Sequence, residues 1–273
     1  MANLATSQRL TRVFYGATTL VVTAFIVLPL VVIVWMSFFA NKILAFPPSG
    51  YTLDWYRRAW ETDVFRDGLI VSLQTGLFAT LASLLLGVPA SLALVRYGFL
   101  GRELVNTILL SPMIVPGIVG GSALFIFFIQ VEILTDVQIA GTTAGLLIAH
   151  SLIALPWTVR LVSTSLIGMN RSVEEAAASL GASALTVFFR VTLPIIKPGI
   201  IAAALFSFVV SFIDLEKSIF LVGPGKTTLQ IAIVNYLEWN LDSTIGAVAA
   251  VQIALIAALL LITDRYAKLS RAF

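Results

Sequence analysis

Cysteine is absent from the 273 residues, histidine occurs once, and charged side chains make up only 11% of the chain. The first absence excludes a disulfide framework, a thiolate nucleophile and a cysteine-ligated metal centre. The single histidine, His150, rules out paired-histidine metal motifs, and no Ser/His/Asp constellation for nucleophilic catalysis is evident. Little equipment is left for a membrane-embedded enzyme. Set beside 59% hydrophobic residues and a mean hydropathy of +1.00, the scarcity of charge lies outside the composition of soluble domains and indicates a membrane protein. The net charge of +3 comes from 17 basic residues dispersed along an apolar chain, which suits lipid headgroups and topology rather than nucleic acid.

Charge spacing marks the spans, because a charge at mid-membrane costs at least about 2.5–3.5 kcal/mol. Charge-free windows lie between Arg12 and Lys42, Asp67 and Arg96, Glu103 and Glu132, Asp136 and Arg160, Lys197 and Asp214, and Asp242 and Asp264. They predict an all-α membrane protein with one membrane domain and six spans at about 13–39, 69–95, 104–130, 139–159, 199–221 and 243–263. The fifth reaches crossing length only by including Asp214, Glu216 and Lys217. The first window is too long for a signal-peptide core and has no early small-residue cleavage site, so it is read as a retained anchor. Six spans put both termini on one side. That side collects Arg9, Arg12, Arg96, Arg102, Arg160, Arg171, Arg190, Lys197, Arg265, Lys268 and Arg271, so the positive-inside rule makes both termini cytoplasmic.

Two segments on the opposite side are readable. After the breaker F-P-P-S-G, Thr52 is the expected N-cap of a helix with Leu53, Tyr56 and Trp60 on one face, suited either to the membrane interface or to packing on the bundle. The run G-P-G-K-T-T resembles a phosphate-binding loop, but the second glycine that such a loop requires falls at Phe220. Gly223-Pro224-Gly225 reads instead as a helix breaker, with Thr227 or Thr228 as N-cap of the helix L-Q-I-A-I-V-N-Y-L-E-W.

The longest cytoplasmic segment, residues 160–198, is organised. Ser172 and Glu175 form an S-x-x-E capping box, Glu174 and Glu175 occupy the first turn of a helix beginning near Val173, and Gly181 can end it in the left-handed conformation. Ser183 offers a second N-cap, and Leu185, Phe188 and Phe189 cluster before Pro194 breaks the pattern. A short, smooth, acid-started helix suits docking in a partner's groove; it equally suits a connector lying on the membrane.

The string E-E-A-A-A-S-L-G-A-S-A-L-T-V-F-F-R-V-T-L-P resembles the EAA signature of the permease subunits of binding-protein-dependent ABC importers. Glu175, Ala176, Ala177, Gly181, Leu193 and Pro194 match, and Val191 replaces an isoleucine. The resemblance extends to the six-span layout and implies a type I importer permease with a cytoplasmic coupling helix. Glu174, Glu175, Ala176, Ala177, Gly181, Val191, Leu193 and Pro194 would then couple the chain to separate ATP-binding subunits that hold ATP and Mg, with no cofactor in this chain. It also implies a second permease subunit, a heterodimer being favoured, an external solute-binding protein that the G-P-G-K turn could meet, and a bacterial inner-membrane location. A self-sufficient secondary transporter is the competing reading.

The segments T-L-D-W-Y-R-R-A and S-F-I-D-L-E-K-S-I-F-L-V-G-P-G-K-T-T-L are similar to spermidine/putrescine-type permeases, a subgroup also compatible with ferric iron or phosphonate uptake. Asp214 and Glu216 are the candidate pathway residues. Two positions apart on a helix, they point about 200° from one another and share a pore only if the helix unwinds. Lys217 could instead neutralise either carboxylate. His150 is read as a hydrogen-bonded interior residue and Trp157 as an interface anchor.

Overall fold

A computed structural model describes residues 2–43, 45–240 and 242–267, with side chains described from Thr11 to Arg265. Lys268 and Arg271 of the basic C-terminal tail lie outside the described residues. The described residues form helices α1 (Ala2–Met36), α2 (Asp54–Glu61), α3 (Asp63–Arg96), α4 (Arg102–Leu110), α5 (Gly117–Thr135), α6 (Thr143–Gly168), α7 (Ser172–Ser179), α8 (Ala184–Val187), α9 (Leu193–Phe212), α10 (Ser218–Leu221), α11 (Leu229–Trp239) and α12 (Thr244–Ala267). No strand occurs among them, only isolated bridges between Phe39 and Tyr51 and between Gly223 and Lys226. Among the described residues, six helical stretches are long and apolar enough to cross a membrane.

The chain divides into two compact units: residues up to Thr62 with Leu237–Leu255, and Asp63–Tyr236 with Ile256 onward. In the first, the start of α2 is held by Thr52, whose Oγ1 accepts from the Asp54 amide at 3.1 Å. The face named from the sequence is divided: Tyr56 reaches Ser37, whereas the rest of it is open. Trp55 donates from Nε1 to the Phe39 carbonyl at 2.9 Å and Ala59 is buried, whereas Leu53 and Trp60 are exposed. Arg58 meets Asp242 at 3.5 Å, and Ser243 Oγ donates to the Asn41 carbonyl at 2.6 Å.

The second unit is built on α3, α6 and α9, which pack on one another. Lipid tails are as apolar as leucine, so helices associate in a membrane through close contact and shared hydrogen bonds. Both devices are present. A Cβ on Gly87 would overlap Thr158, and one on Gly199 would overlap Ser165, so these glycines set the approach of α3 and α9 to α6. Thr158 Oγ1 donates to Ser83 Oγ at 3.1 Å and lies 3.0 Å from Ser207 Oγ, all three fully buried. Trp157, expected as an interface anchor, stacks on Phe206 of α9 with centroids 5.5 Å apart.

Two windows read as continuous spans are interrupted. The third splits: α4 stops at Leu110, Ser111–Met113 forms a 3-10 turn, and α5 starts only at Gly117. Pro112 and Pro116 lack a donor N–H, and Pro116 is extended at φ −53°, ψ 135°, which charge spacing cannot register. The fifth runs to Phe212, unwinds, and resumes as α10 at Ser218. Conversely, the break expected at Pro194 is absent. A π turn over Phe188–Thr192 leads directly into α9, lengthening the hydrogen-bond step just where Pro194 provides no N–H and its ring would crowd the carbonyl four residues back.

Candidate functional site

The expected capping box does not form. Ser172 lies inside α7, and its amide donates to Asn170 Oδ1 at 3.0 Å, so Asn170 supplies the side chain that caps the helix. This frees Glu175 from the cap, and the two glutamates separate. Glu174 turns inward: Oε2 lies 2.9 Å from Arg96 Nε at the end of α3, and Oε1 accepts from Thr192 Oγ1 of the π turn at 2.6 Å. The Arg96 N–H is poorly aimed and its Nη2 is buried without a partner, so the contact is chiefly ionic. Glu175 turns outward, 3.3 Å from the exposed Arg171.

Gly181 adopts φ +85°. The Gly181 amide donates to the Ala178 carbonyl at 2.9 Å and the Ala182 amide to the Ala177 carbonyl at 3.2 Å, the paired bonds of a Schellman stop. Ser183 then caps α8 as expected, accepting from the Thr186 amide at 3.3 Å. The elbow presents Glu175, Ala176, Ser179 and Leu180 outward, Leu180 at 90% exposure, followed by exposed Leu185 and Phe189. Ala177 is half-buried. Val191 packs on a buried cluster of Val162, Leu166, Met169, Ile196 and Ala203. Leu193 is half-buried and Pro194 exposed. Val191 and Leu193 therefore seat the elbow on the helix bundle rather than extend it. Beside it lies a cavity of about 520 Å³ lined by Arg96, Tyr97, Arg171, Glu174, Glu175 and Ala178 among others.

The second constellation surrounds the break between α9 and α10. Asp214 Oδ2 accepts from the Lys217 and Ser218 amides at 3.2 and 3.0 Å and from Ser218 Oγ at 3.1 Å, while Oδ1 lies 3.9 Å from Lys217 Nζ. His150 of α6 spans the gap, with Nδ1 2.8 Å from Ser211 Oγ and Nε2 3.0 Å from Ser218 Oγ. Fully buried and doubly bonded, it is the interior residue expected, and it fixes the depth of the break. Glu216 points elsewhere. It is exposed, makes no ion pair or side-chain hydrogen bond among the described residues, and lies against Gly117 at the start of α5. Asp214 and Glu216 thus do not converge, although the helix unwinds as their convergence would require.

The G-P-G-K run is a turn. With Pro224 second, Gly225 third at φ +73° and the Lys226 amide donating to the Gly223 carbonyl at 3.2 Å, it has the form of a type II turn. Lys226 Nζ donates to Thr143 Oγ1 at 2.6 Å. Neither Thr227 nor Thr228 caps α11. The Leu229 amide donates instead to Ser72 Oγ of α3 at 2.9 Å, a cap contributed from far away in the chain.

The family model described as "Binding-protein-dependent transport system inner membrane component" matches residues 79–271. Among curated relatives, the putrescine transport system permease protein PotI of Escherichia coli is 30% identical over 226 residues, covering 82% of this chain and 80% of that protein. The spermidine/putrescine transport system permease protein PotC of Haemophilus influenzae is 28% identical over 247 residues, 89% and 92% of the two chains. A permease protein of Salmonella paratyphi A named for 2-aminoethylphosphonate transport, PhnV, is 32% identical over 244 residues, 89% and 90%. Among solved structures, a chain of a bacterial ABC transporter involved in alginate import aligns with TM-score 0.69 at 17% identity, over 95% of this chain and 97% of its own. A chain of the MetNI methionine ABC transporter aligns with TM-score 0.61 at 18% identity, over 76% and 96%. At these identities the two structures show the fold.

Proposed function

We propose a mechanism from one premise: the chain belongs to the family of binding-protein-dependent transport system inner membrane components, whose model covers more than half of it. It is a permease subunit of an ABC importer and a multi-pass inner-membrane protein. Within that frame, α7, the Gly181 elbow and α8 form the coupling element, docking on a separate subunit that binds ATP and Mg and hydrolyses the nucleotide. The observation that carries this reading is the division between the two glutamates. Glu174 is committed inward to Arg96 and Thr192, so a push on α7 is transmitted to the ends of α3 and α9, while Glu175, Ala176, Ser179 and Leu180 are left outward for a partner. Ala177 and Gly181 give the helix its smooth face and its stop; Val191 and Leu193 anchor its base, and Pro194 sits in the first turn of α9 that follows it.

Both termini and the elbow are then cytoplasmic, in keeping with the basic residues on that side. A second permease subunit, different from this chain, completes the pathway, and a solute-binding protein meets the opposite end near the Gly223–Lys226 turn. Putrescine, spermidine and 2-aminoethylphosphonate, for which the relatives are named, all carry a primary ammonium, so the substrate class is a small organic ammonium. A polyamine is the first candidate and an aminophosphonate the second. Uptake of labelled putrescine by proteoliposomes holding the assembled importer tests this. ATP-dependent accumulation, suppressed by unlabelled spermidine or 2-aminoethylphosphonate, is the expected result; an intact, ATP-hydrolysing importer that accumulates no ammonium solute would refute the substrate class.

A further inference from the structure

We infer that Glu216 is the side chain that receives the solute's ammonium group inside the membrane, and that Asp214 is structural; this rests on the reading above of an importer for such solutes. The two carboxylates are equivalent in sequence but not in chemistry. Asp214 is mostly buried, its side chain 8% exposed, and its oxygens are committed to two amides, the Ser218 hydroxyl and Lys217 Nζ. Oδ2 thus holds the unwound segment together, and Oδ1 faces Lys217 Nζ, a cation already in place. Lys217, the neighbour able to cancel Glu216, is itself turned to Asp214, and its stem lies against Gly120.

Glu216 is left exposed, its acidic group without an ion-pair or hydrogen-bond partner among the described residues. Its depth gives that charge meaning. His150 sits two turns into α6, about 10 Å from the start of that helix by the rise per residue, and it bonds to both sides of the break that carries Glu216. A carboxylate at that level cannot face lipid cheaply, so it faces water or protein. The site is also a meeting of two interruptions: the α4–α5 break ends at Gly117, and a Cβ at Gly117 or Gly121 would overlap Glu216 or the Lys217 backbone. Non-helical backbone at membrane depth is tolerated where it lines a cavity, and paired helix breaks mark solute sites in transporters. A lone carboxylate there offers an ammonium one transient counter-charge, strong enough to admit it and weak enough to release it.

The test is initial-rate uptake of labelled putrescine by the assembled importer in proteoliposomes, comparing wild type, Glu216→Gln, Glu216→Asp and Asp214→Asn. Glu216→Gln is expected to raise KM about tenfold, the loss of one charge-assisted contact, with an intermediate KM for Glu216→Asp and unchanged co-purification of subunits. Asp214→Asn is expected to lower thermal stability of the complex instead. A wild-type KM in Glu216→Gln overturns the inference while leaving the importer reading intact. Impaired subunit assembly at unchanged KM also overturns it, identifying Glu216 as a contact to the second permease. Wild-type liposomes that accumulate no ammonium solute overturn the substrate reading and this inference together.

Discussion

Glu174→Ala is expected to abolish ATP-driven uptake and to destabilise the permease, whereas Glu175→Ala stays folded, although the two residues are adjacent in a first helical turn. Glu174 and Arg96 are 16% and 14% exposed, and removing one partner of a buried pair costs about 3–5 kcal/mol because the other charge is stranded. Arg96 already has a buried nitrogen without a partner, so it has no alternative acceptor at hand. Thr192 loses its acceptor in the same substitution, which releases α7 from the π turn below it. Glu175 is 66% exposed beside an equally exposed Arg171, so its loss costs little stability and acts only through the docking face. The double variant Arg96→Leu, Glu174→Leu removes both charges together and is expected to recover thermal stability without recovering coupling. Melting temperature of the purified complex, read beside uptake, distinguishes the two effects; full uptake by Glu174→Ala would remove the clasp from the mechanism.

Gly181→Val is expected to disrupt the coupling elbow, and Gly181→Asn to do so much less. Nothing lies within reach of a Cβ built at Gly181, so added bulk meets no neighbour and only the backbone objects. At φ +85° an ordinary L-residue costs about 1–2 kcal/mol, most for a β-branched side chain and least for asparagine. Relief comes by rotating Gly181 out of the left-handed region, which breaks the Ala182–Ala177 bond and re-aims α8 relative to α7. The measurement is recovery of the ATPase subunit with the tagged permease. Wild-type recovery would be expected for Asn and a large loss for Val, and equal recovery of both would show that the elbow's angle does not matter for docking.

Which features were legible follows from the range of the forces that make them. The long apolar windows and Gly181 are local facts, one a matter of solvation along a stretch of chain and the other of a backbone angle only glycine adopts easily. The cap of α7 was misassigned because Asn170 and Ser172 are both good N-caps and two residues apart; the choice between them is a single hydrogen bond. The breaks in the third and fifth windows were missed because charge spacing records what a segment costs in lipid, not whether its backbone stays helical. His150 bridges the two sides of the break at Asp214, and Ser72 caps α11, contacts separated by more than sixty and one hundred and fifty positions. No local pattern carries them. The same holds for the divided fate of Glu174 and Glu175, since Arg96 ends a helix nearly eighty residues earlier. The one available signal was the mismatch between a strong acid pair and a short helix already capped by a neutral side chain.

The natural absence of cysteine makes one measurement decisive for the coupling claim. Ala176→Cys places a single thiol on the outward face of α7, and Glu238→Cys places one at the end of α11. In the assembled importer, Ala176→Cys should cross-link in high yield to the ATP-hydrolysing subunit, with a yield that changes on adding ATP, and Glu238→Cys should give no such product. An intact complex in which Ala176→Cys forms no cross-link to that subunit, or in which only Glu238→Cys does, would contradict the coupling role of α7.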